Sequence, residues 1–175
     1  MRRVSRGTSS LFVFSSPSPL AKERGIEGVR IITNQDRKTK PDLQEKHVVT
    51  CFLESGGKIL LLRRSEKVGS YRGRWAGVSG YLEATPDEQA LTEIAEETGL
   101  GSEDVRMVRK GEPLAVEDKD LGTRWIVHPF LFQVKDPDRI RIDWEHKELK
   151  WIKPQELVNF ETVPMLREAF DRVYG

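Results

Sequence analysis

The chain has 175 residues, enough for one compact domain with a sizeable hydrophobic core. Its 29 Lys and Arg almost balance its 28 Asp and Glu, and the net charge of +1 argues against duplex nucleic acid or an anionic membrane as a partner. The single cysteine, Cys51, excludes an intrachain disulfide, and no apolar run reaches the roughly 18 residues of a transmembrane helix. Because Cys51 lies within an apolar run, we predict that it is a packing residue of the core.

The N-terminal segment differs in composition from the rest of the chain. Residues 1–45 contain nine Lys or Arg against five Asp or Glu. Residues 1–22 have no acidic residue, three Arg and many Ser, which is typical of an organellar transit peptide. No amphipathic period runs through residues 8–19, and this favours a disordered extension instead. We predict a basic extension over 1–44 and a folded domain over 45–175. We expect a cytoplasmic location, with organellar import as the alternative.

The folded part begins with the pattern of a β-hairpin. Apolar and β-branched residues dominate 47–53 and 58–62, and the Gly-containing segment 54–57 between them predicts a turn. Residues 65–74 are polar and read as a loop. Residues 75–82 predict a short extended segment that is interrupted by glycines.

A helix is predicted over residues 86–98. Thr85 and Glu88 form a capping box, with Pro86 at the first helical position. Gly99 supplies a left-handed stop at the other end.

The C-terminal half predicts more strands and a final helix. The predicted strands cover 105–116, 123–134 and 149–151. Pro129 lacks an amide donor, which places the second of them at an edge or a bulge. Helical structure is predicted to begin at Pro154 and to cover 163–173, where apolar residues fall at helical spacing. This order predicts an α+β fold, a mixed β-sheet between helices in an α/β/α sandwich.

The predicted helix carries three carboxylates on one face. Glu93, Glu96 and Glu97 stand at positions i, i+3 and i+4, and span about 100° of arc. Residues 75–105 contain no Lys or Arg to neutralise them, whereas a hard divalent cation such as Mg²⁺ would. The alternative is a solvated acidic face. The apolar residues that we expect to be buried on the opposite side are Leu91, Ile94 and Ala95, flanked by Ala90.

Gly80 and residues 93–100 together resemble the signature of the Nudix family, Gly-x5-Glu-x7-Arg-Glu-U-x-Glu-Glu-x-Gly-U, in which U is aliphatic. The resemblance extends over about 46–173. Two departures stand out. Thr92 occupies the place of the Arg, and the spacing from Gly80 to Glu93 is two residues short.

The resemblance implies a Nudix-like sheet flanked by helices and a metal-dependent enzyme. The implied reaction is hydrolysis of a diphosphate linkage in a small nucleoside diphosphate derivative. The implied cofactor is Mg²⁺ or Mn²⁺, and its implied ligands are Glu93, Glu96, Glu97 and the backbone carbonyl of Ser79. Loss of the Arg is expected to affect the rate rather than the fold.

Other residues are candidates for the same site. In the family, a further Glu near the last strand acts as a base or extra ligand, and an Arg at about the position of Arg64 contacts phosphate. The candidate catalytic residues are Glu93, Glu96, Glu145 and Glu148, with His146 as a further acid–base group. The candidate substrate-binding residues are Arg63, Arg64, Trp75 and Tyr81, while Tyr71, Trp125 and Trp144 offer further aromatic faces for a base. Each of them is otherwise an ordinary surface or core residue.

Two other functions remain open at this point. Thr92 and the shortened loop are compatible with a non-catalytic module that binds a nucleotide or a partner. Residues 75–82 loosely resemble an isopentenyl-diphosphate isomerase, but Cys51 lacks the motif that surrounds the catalytic Cys of that group. A homodimer is also left open.

Overall fold

The structure is a computed structural model that describes residues 43–174, in which eight strands form one mixed sheet. The strands are β1 (Gln44–Ser55), β2 (Lys58–Arg64), β3 (Trp75–Ala76), β4 (Val78–Tyr81), β5 (Val105–Lys110), β6 (Leu114–Asp118), β7 (Thr123–Val134) and β8 (His146–Ile152). The helices are α1 (Pro86–Thr98) and α2 (Leu166–Tyr174), with 3-10 turns at Pro137–Arg139 and Pro154–Asn159. No helix of the described residues is long and apolar enough to cross a membrane.

The sheet is organised around β1, which has three partners. It forms the predicted hairpin with β2 through the pair Glu54 and Ile59. It also pairs antiparallel with β4 and parallel with β7 along nearly its whole length. The strand β2 is flanked by β3 and β8, and β7 is flanked by β5 and β6. The sheet is therefore mixed, as predicted.

Two predictions about the C-terminal strands are wrong. The single strand expected over 105–116 is broken into β5 and β6, which both pair with β7. The edge position expected for the strand that contains Pro129 is also wrong, because β7 lies inside the sheet between β1 and β5. The carbonyl of Pro129 accepts a hydrogen bond from the Gly111 amide at 2.9 Å. A residue in a strand directs its nitrogen and carbonyl to the same side, so Pro129 meets the break between β5 and β6, where no donor is required.

Helices cover both faces of the sheet. Successive residues of β1 point to opposite faces, so Cys51 packs with Ile94 of α1, whereas Phe52 packs with Phe170 of α2. This arrangement confirms the predicted sandwich, and it confirms that Cys51 is a buried core residue.

The bounds of α1 agree with the prediction, but its buried face does not. Both hydrogen bonds of the capping box between Thr85 and Glu88 are present, and Gly99 ends the helix with a φ of 71°. However, Leu91 and Ala95 are exposed, while the buried side carries Ala90, Ile94, Thr98, Gln89 and Glu97. The side chain of Glu97 therefore points toward the sheet, where the backbone N–H of Ser79 donates a hydrogen bond to it. The predicted extension over 1–44 lies outside the described residues, except for Leu43 and Gln44.

Candidate active site

Glu93 is held at the junction between α1 and β4. Its Oε1 accepts a hydrogen bond of 2.8 Å from the side-chain amide of Gln89, one helical turn earlier. The other end of that amide, Oε1 of Gln89, accepts from the backbone N–H of Glu83 at 3.1 Å. Gln89 thereby ties Glu93 to the loop that precedes the helix.

Glu97 is the most buried of the three helical carboxylates. Its side chain is only 5 % exposed, and its Oε1 accepts a hydrogen bond of 3.0 Å from the backbone N–H of Ser79 on β4. Its Oε2 has no hydrogen-bond partner among the described residues and lies 3.6 Å from Nε2 of His146. The other ring nitrogen of His146 lies 3.2 Å from Asp143. A carboxyl oxygen is thus buried without a hydrogen-bond partner among the described residues.

The electrostatics show that several carboxylates share one region. Burial raises the pKa of Glu93, Glu97 and Glu145 above the usual range in each case. Repulsion adds to this effect, since Glu96 and Glu145 raise the pKa of Glu93, and Asp143 raises that of Glu145. Carboxylates of α1 therefore face those of the segment that leads into β8.

Three of these carboxylates, Glu93, Glu96 and Glu145, line a cleft of about 890 Å³. The residues of its polar wall include Ser79, Gly80, Glu93, Glu96, Glu145 and Arg64. Aromatic residues line it as well, among them Tyr71, Tyr81, Trp125 and Trp144. This size and mixed lining suit a nucleotide-sized ligand with one anionic and one aromatic part.

The NUDIX domain model matches residues 44–173 of the chain. The chain belongs to the Nudix family. It is similar to the CTP pyrophosphohydrolase of Escherichia coli K12, with 32% identity over 130 residues that cover 70% of this chain and 89% of the relative. Its fold is similar to the MutT protein of Methanosarcina mazei Go1, with a TM-score of 0.60, 24% identity and coverage of 75% and 94%. It is also similar to a C. elegans Ap4A hydrolase, with a TM-score of 0.58, 19% identity and coverage of 74% and 94%.

Membership of the Nudix family confirms two predictions. The first is the fold, a mixed sheet flanked by helices. The second is the reaction class, pyrophosphohydrolysis of a nucleoside diphosphate derivative. Nudix enzymes generally use a divalent metal ion, and the carboxylates of the cleft are suitable ligands for such an ion.

The acidic residues of α1 fit a divalent cation by their chemistry. The unpartnered Oε2 of Glu97 and the mutual repulsion of Glu93 and Glu96 call for a positive charge at this place. Within residues 43–174, no three His, Cys, Asp or Glu side chains are already arranged in the geometry of a metal site. The predicted convergence of Glu93, Glu96 and Glu97 thus requires side-chain rotation, because Gln89 and Ser79 hold two of them in hydrogen bonds.

Several predicted site residues are not in the lining of the cleft, among them Arg63, Trp75, Glu97 and Glu148. Arg63 donates to the carbonyl of Gly73 at 3.1 Å and to Glu148 at 3.3 Å, and its guanidinium lies over the ring of Trp75. Trp75 is 7 % exposed and packs edge-on against Phe160 on the α2 side. Adjacent residues of β2 point to opposite faces, so Arg64 lines the cleft and Arg63 does not.

Sequence reasoning missed two residues of the site. Gln89 is not among the predicted site residues, although its position four residues before Glu93 places the two side chains together. Asp143 stands three residues before His146 and orients the imidazole ring. Spacing alone was the available signal for both, and it does not separate such a pair from two solvated neighbours.

Proposed function

We propose that this Nudix protein is a Mg²⁺- or Mn²⁺-dependent pyrophosphohydrolase of a small nucleotide, with its metal-binding centre on α1. The observation that carries the proposal is the buried Glu97 carboxyl, one oxygen of which has no hydrogen-bond partner among the described residues while the other accepts from Ser79. Ser79 and Glu93 both line the nucleotide-sized cleft. A carboxyl group that is costly to ionise is kept buried here, which is expected of a site where a bound cation stabilises the ionised form.

In this proposal Glu93, Glu96, Glu97 and the carbonyl of Ser79 hold the metal. The cation, when bound, supplies a positive charge that stabilises the charge developing on the diphosphate and lowers the pKa of water. Arg64 binds a phosphate oxygen through the edge of its guanidinium that faces the cleft, while its Nε donates to the Ser70 carbonyl at 3.1 Å. That bond gives the arginine a fixed direction.

Glu145 is the proposed general base. It lines the cleft, and burial and the nearby Asp143 raise its pKa toward the range in which a carboxylate accepts a proton efficiently. Glu148 was the other candidate, but it is engaged by Arg63 and Lys150 outside the cleft.

The first substrates to test are pyrimidine nucleoside triphosphates, because the E. coli relative is named a CTP pyrophosphohydrolase. ADP-ribose, nucleotide sugars, dinucleoside polyphosphates and oxidised nucleotides complete the panel. Three further points remain proposals: a cytoplasmic location, formation of a homodimer, and an extension over 1–44 that is not needed for folding or catalysis.

The test compares matched carboxylate variants across this panel, with and without Mg²⁺. Glu96→Gln and Glu97→Gln should lower kcat by orders of magnitude while the circular dichroism spectrum stays unchanged. Glu145→Gln should lower kcat strongly, whereas Glu148→Gln should not. Near-normal turnover by both helix variants, or hydrolysis in the presence of EDTA, would contradict the proposal.

A further inference from the structure

An aromatic pair, Tyr81 and Trp125, lies on the two strands β4 and β7 that pair with β1, away from the carboxylates of the cleft. Thr50 of β1 pairs with Ser79, Val48 pairs with Tyr81, and Lys46 pairs with Trp125 of β7. The distance along the strand from Thr50 to Lys46 is roughly 13 Å, and the cleft extends over this length. That span is comparable to the distance between the diphosphate and the base of a nucleotide.

The rings of Tyr81 and Trp125 form a platform with a cation above it. Their centroids lie 6.1 Å apart with a tilt of 36°. Nζ of Lys46 lies 5.9 Å from the Tyr81 ring and 5.8 Å from the Trp125 ring. The ammonium therefore covers the same face of both rings, and its flexible stem allows it to move to the edge of the platform, with its three donors, when a base takes that face.

The cleft also exposes large apolar side chains to solvent. Tyr81 is 53% exposed, and the others that line the cleft are Leu121 at 48%, Trp144 at 60% and Met165 at 39%. Single exposed apolar residues are common, but four around one cleft indicate a surface that a ligand covers.

Backbone strain is concentrated at the same cleft. Within residues 43–174, the non-glycine residues with positive φ are Tyr71, at 51°, and Met165, at 59°. Both line the cleft. Left-handed conformations are uncommon for such bulky residues and are typically kept where a side chain must be placed for function.

The strained Tyr71 is fixed by a hydrogen bond across the cleft wall. Its hydroxyl donates to Asp118 at the end of β6 at 2.6 Å. Burial and this bond raise the pKa of Tyr71 to about 12, so the hydroxyl remains a donor at neutral pH. The buried indole N–H of Trp125 lies close enough to this hydroxyl to lower the pKa of Tyr71, although the contact falls short of hydrogen-bond geometry.

We propose that Trp125 and Tyr81 bind the face of a nucleobase, that Lys46 donates a hydrogen bond to a carbonyl oxygen on its edge, and that Tyr71 is the positioning residue of the indole. The identity of the ligand as a nucleotide rests on the proposed function. The ammonium group has only donors, so it favours cytosine, uracil and guanine, which carry carbonyl oxygens. Adenine carries no carbonyl oxygen, and the hydrogens of its amino group would meet the ammonium at the position that O6 takes in guanine.

The first experiment measures kcat/KM for CTP, UTP, GTP and ATP with Lys46→Met, which keeps an unbranched apolar stem but removes the donors. The three carbonyl-bearing substrates should lose about tenfold, while ATP changes little. Lys58→Met, at the first residue of β2, is the control and should leave all four values unchanged. An equal loss for all four would overturn the proposal, because it would show that Lys46 contacts phosphate.

The second experiment is independent of hydrolysis. Quenching of tryptophan fluorescence by CMP is measured in EDTA, since CMP carries no diphosphate. Trp125→Phe should lose most of the quenching, and Tyr71→Phe should weaken CMP binding several-fold and raise KM for CTP without changing kcat. Asp118→Asn keeps an acceptor for the Tyr71 hydroxyl and should retain most of the affinity of the unaltered protein.

The two proposals can fail separately. CMP binding that depends on Trp125 and Lys46, in a protein that hydrolyses nothing, would leave the base subsite intact and refute the hydrolase. Metal-dependent hydrolysis with CMP binding and base preference unaffected by these variants would refute the base subsite alone.

Discussion

The carboxylate of Glu93 occupies the space in front of Gly80 that a β-carbon would fill. A β-carbon built on Gly80 overlaps both carboxylate oxygens of Glu93. The glycine therefore allows β4 and α1 to approach closely, and its backbone φ is not in the left-handed region. Gly80 is required at this position by the space in front of it and not by its conformational freedom.

Gly80→Ala is accordingly expected to damage the site more than the fold. The overlap is with the end of a flexible side chain, which can rotate away, so the melting temperature should fall only slightly. Displacement of Glu93 by about 1 Å should lower kcat on the order of 100-fold. Steady-state kinetics and thermal unfolding check both expectations. Gly69→Ala is the control, because its added β-carbon meets nothing within 4 Å. Equal activity of the two variants would contradict this role of Gly80.

Glu97→Gln is expected to stabilise the metal-free protein at neutral pH. The pKa of Glu97 is raised well above its usual value, first by burial. Such a carboxyl stabilises the folded state below its unfolded pKa of 4.5, and this contribution is lost as pH rises through the folded value. Removal of the buried charge should therefore raise the melting temperature in EDTA at pH 7–8, and the gain should vanish near pH 4.

Two comparisons separate this effect from a general one. Glu96→Gln removes an exposed carboxylate of the same helix and should change the metal-free stability little. Added Mg²⁺ should raise the melting temperature of the unaltered protein more than that of Glu97→Gln. A lower melting temperature for Glu97→Gln in EDTA at pH 7–8 would show that the anion is already satisfied.

The neighbouring arginines of β2 should differ in their effect on substrate binding. Arg64 lines the cleft, whereas Arg63 is held by Glu148 and the Gly73 carbonyl. Arg64→Ala should raise KM for a nucleoside triphosphate by about tenfold or more, since a charge-assisted bond to phosphate is lost. Arg63→Ala should act mainly on stability. A larger KM effect at Arg63 would contradict the observed alternation of the strand.

Thr92→Arg is expected to preserve or raise activity. Thr92 lines the cleft beside Glu93, and its hydroxyl only donates to the Glu88 carbonyl of the same helix at 3.1 Å. An arginine here can reach the carboxylates by charge-assisted hydrogen bonds. Metal affinity and kcat are the measurements, and Leu91→Arg adds the same charge at an exposed neighbouring position. A clear loss of rate at unchanged stability would contradict this expectation and indicate a rebuilt site, in which another cation such as Arg63, Arg64 or Arg74 supplies the charge.

The sequence alone determined the features that depend on near neighbours. The bounds of α1 follow from Thr85, Glu88 and Gly99, because capping bonds join residues within one turn of each other. The hairpin of β1 and β2 and the clustering of the three helical carboxylates are local for the same reason. The resemblance of residues 93–100 to the Nudix signature rests on this short-range pattern, which explains why the reaction class was predictable.

The tertiary structure decided what depends on residues far apart in the chain. It turned Glu97 inward and Leu91 outward, because Ser79 offers a backbone donor that no helical period reveals. It selected Arg64 over Arg63 through the pairing of β2 with β8, and it brought Trp125 beside Tyr81 through their common neighbour β1. A periodic pattern predicts which residues share a face of a helix or strand. The contacts of that face depend on the packing of segments that are far apart in the chain.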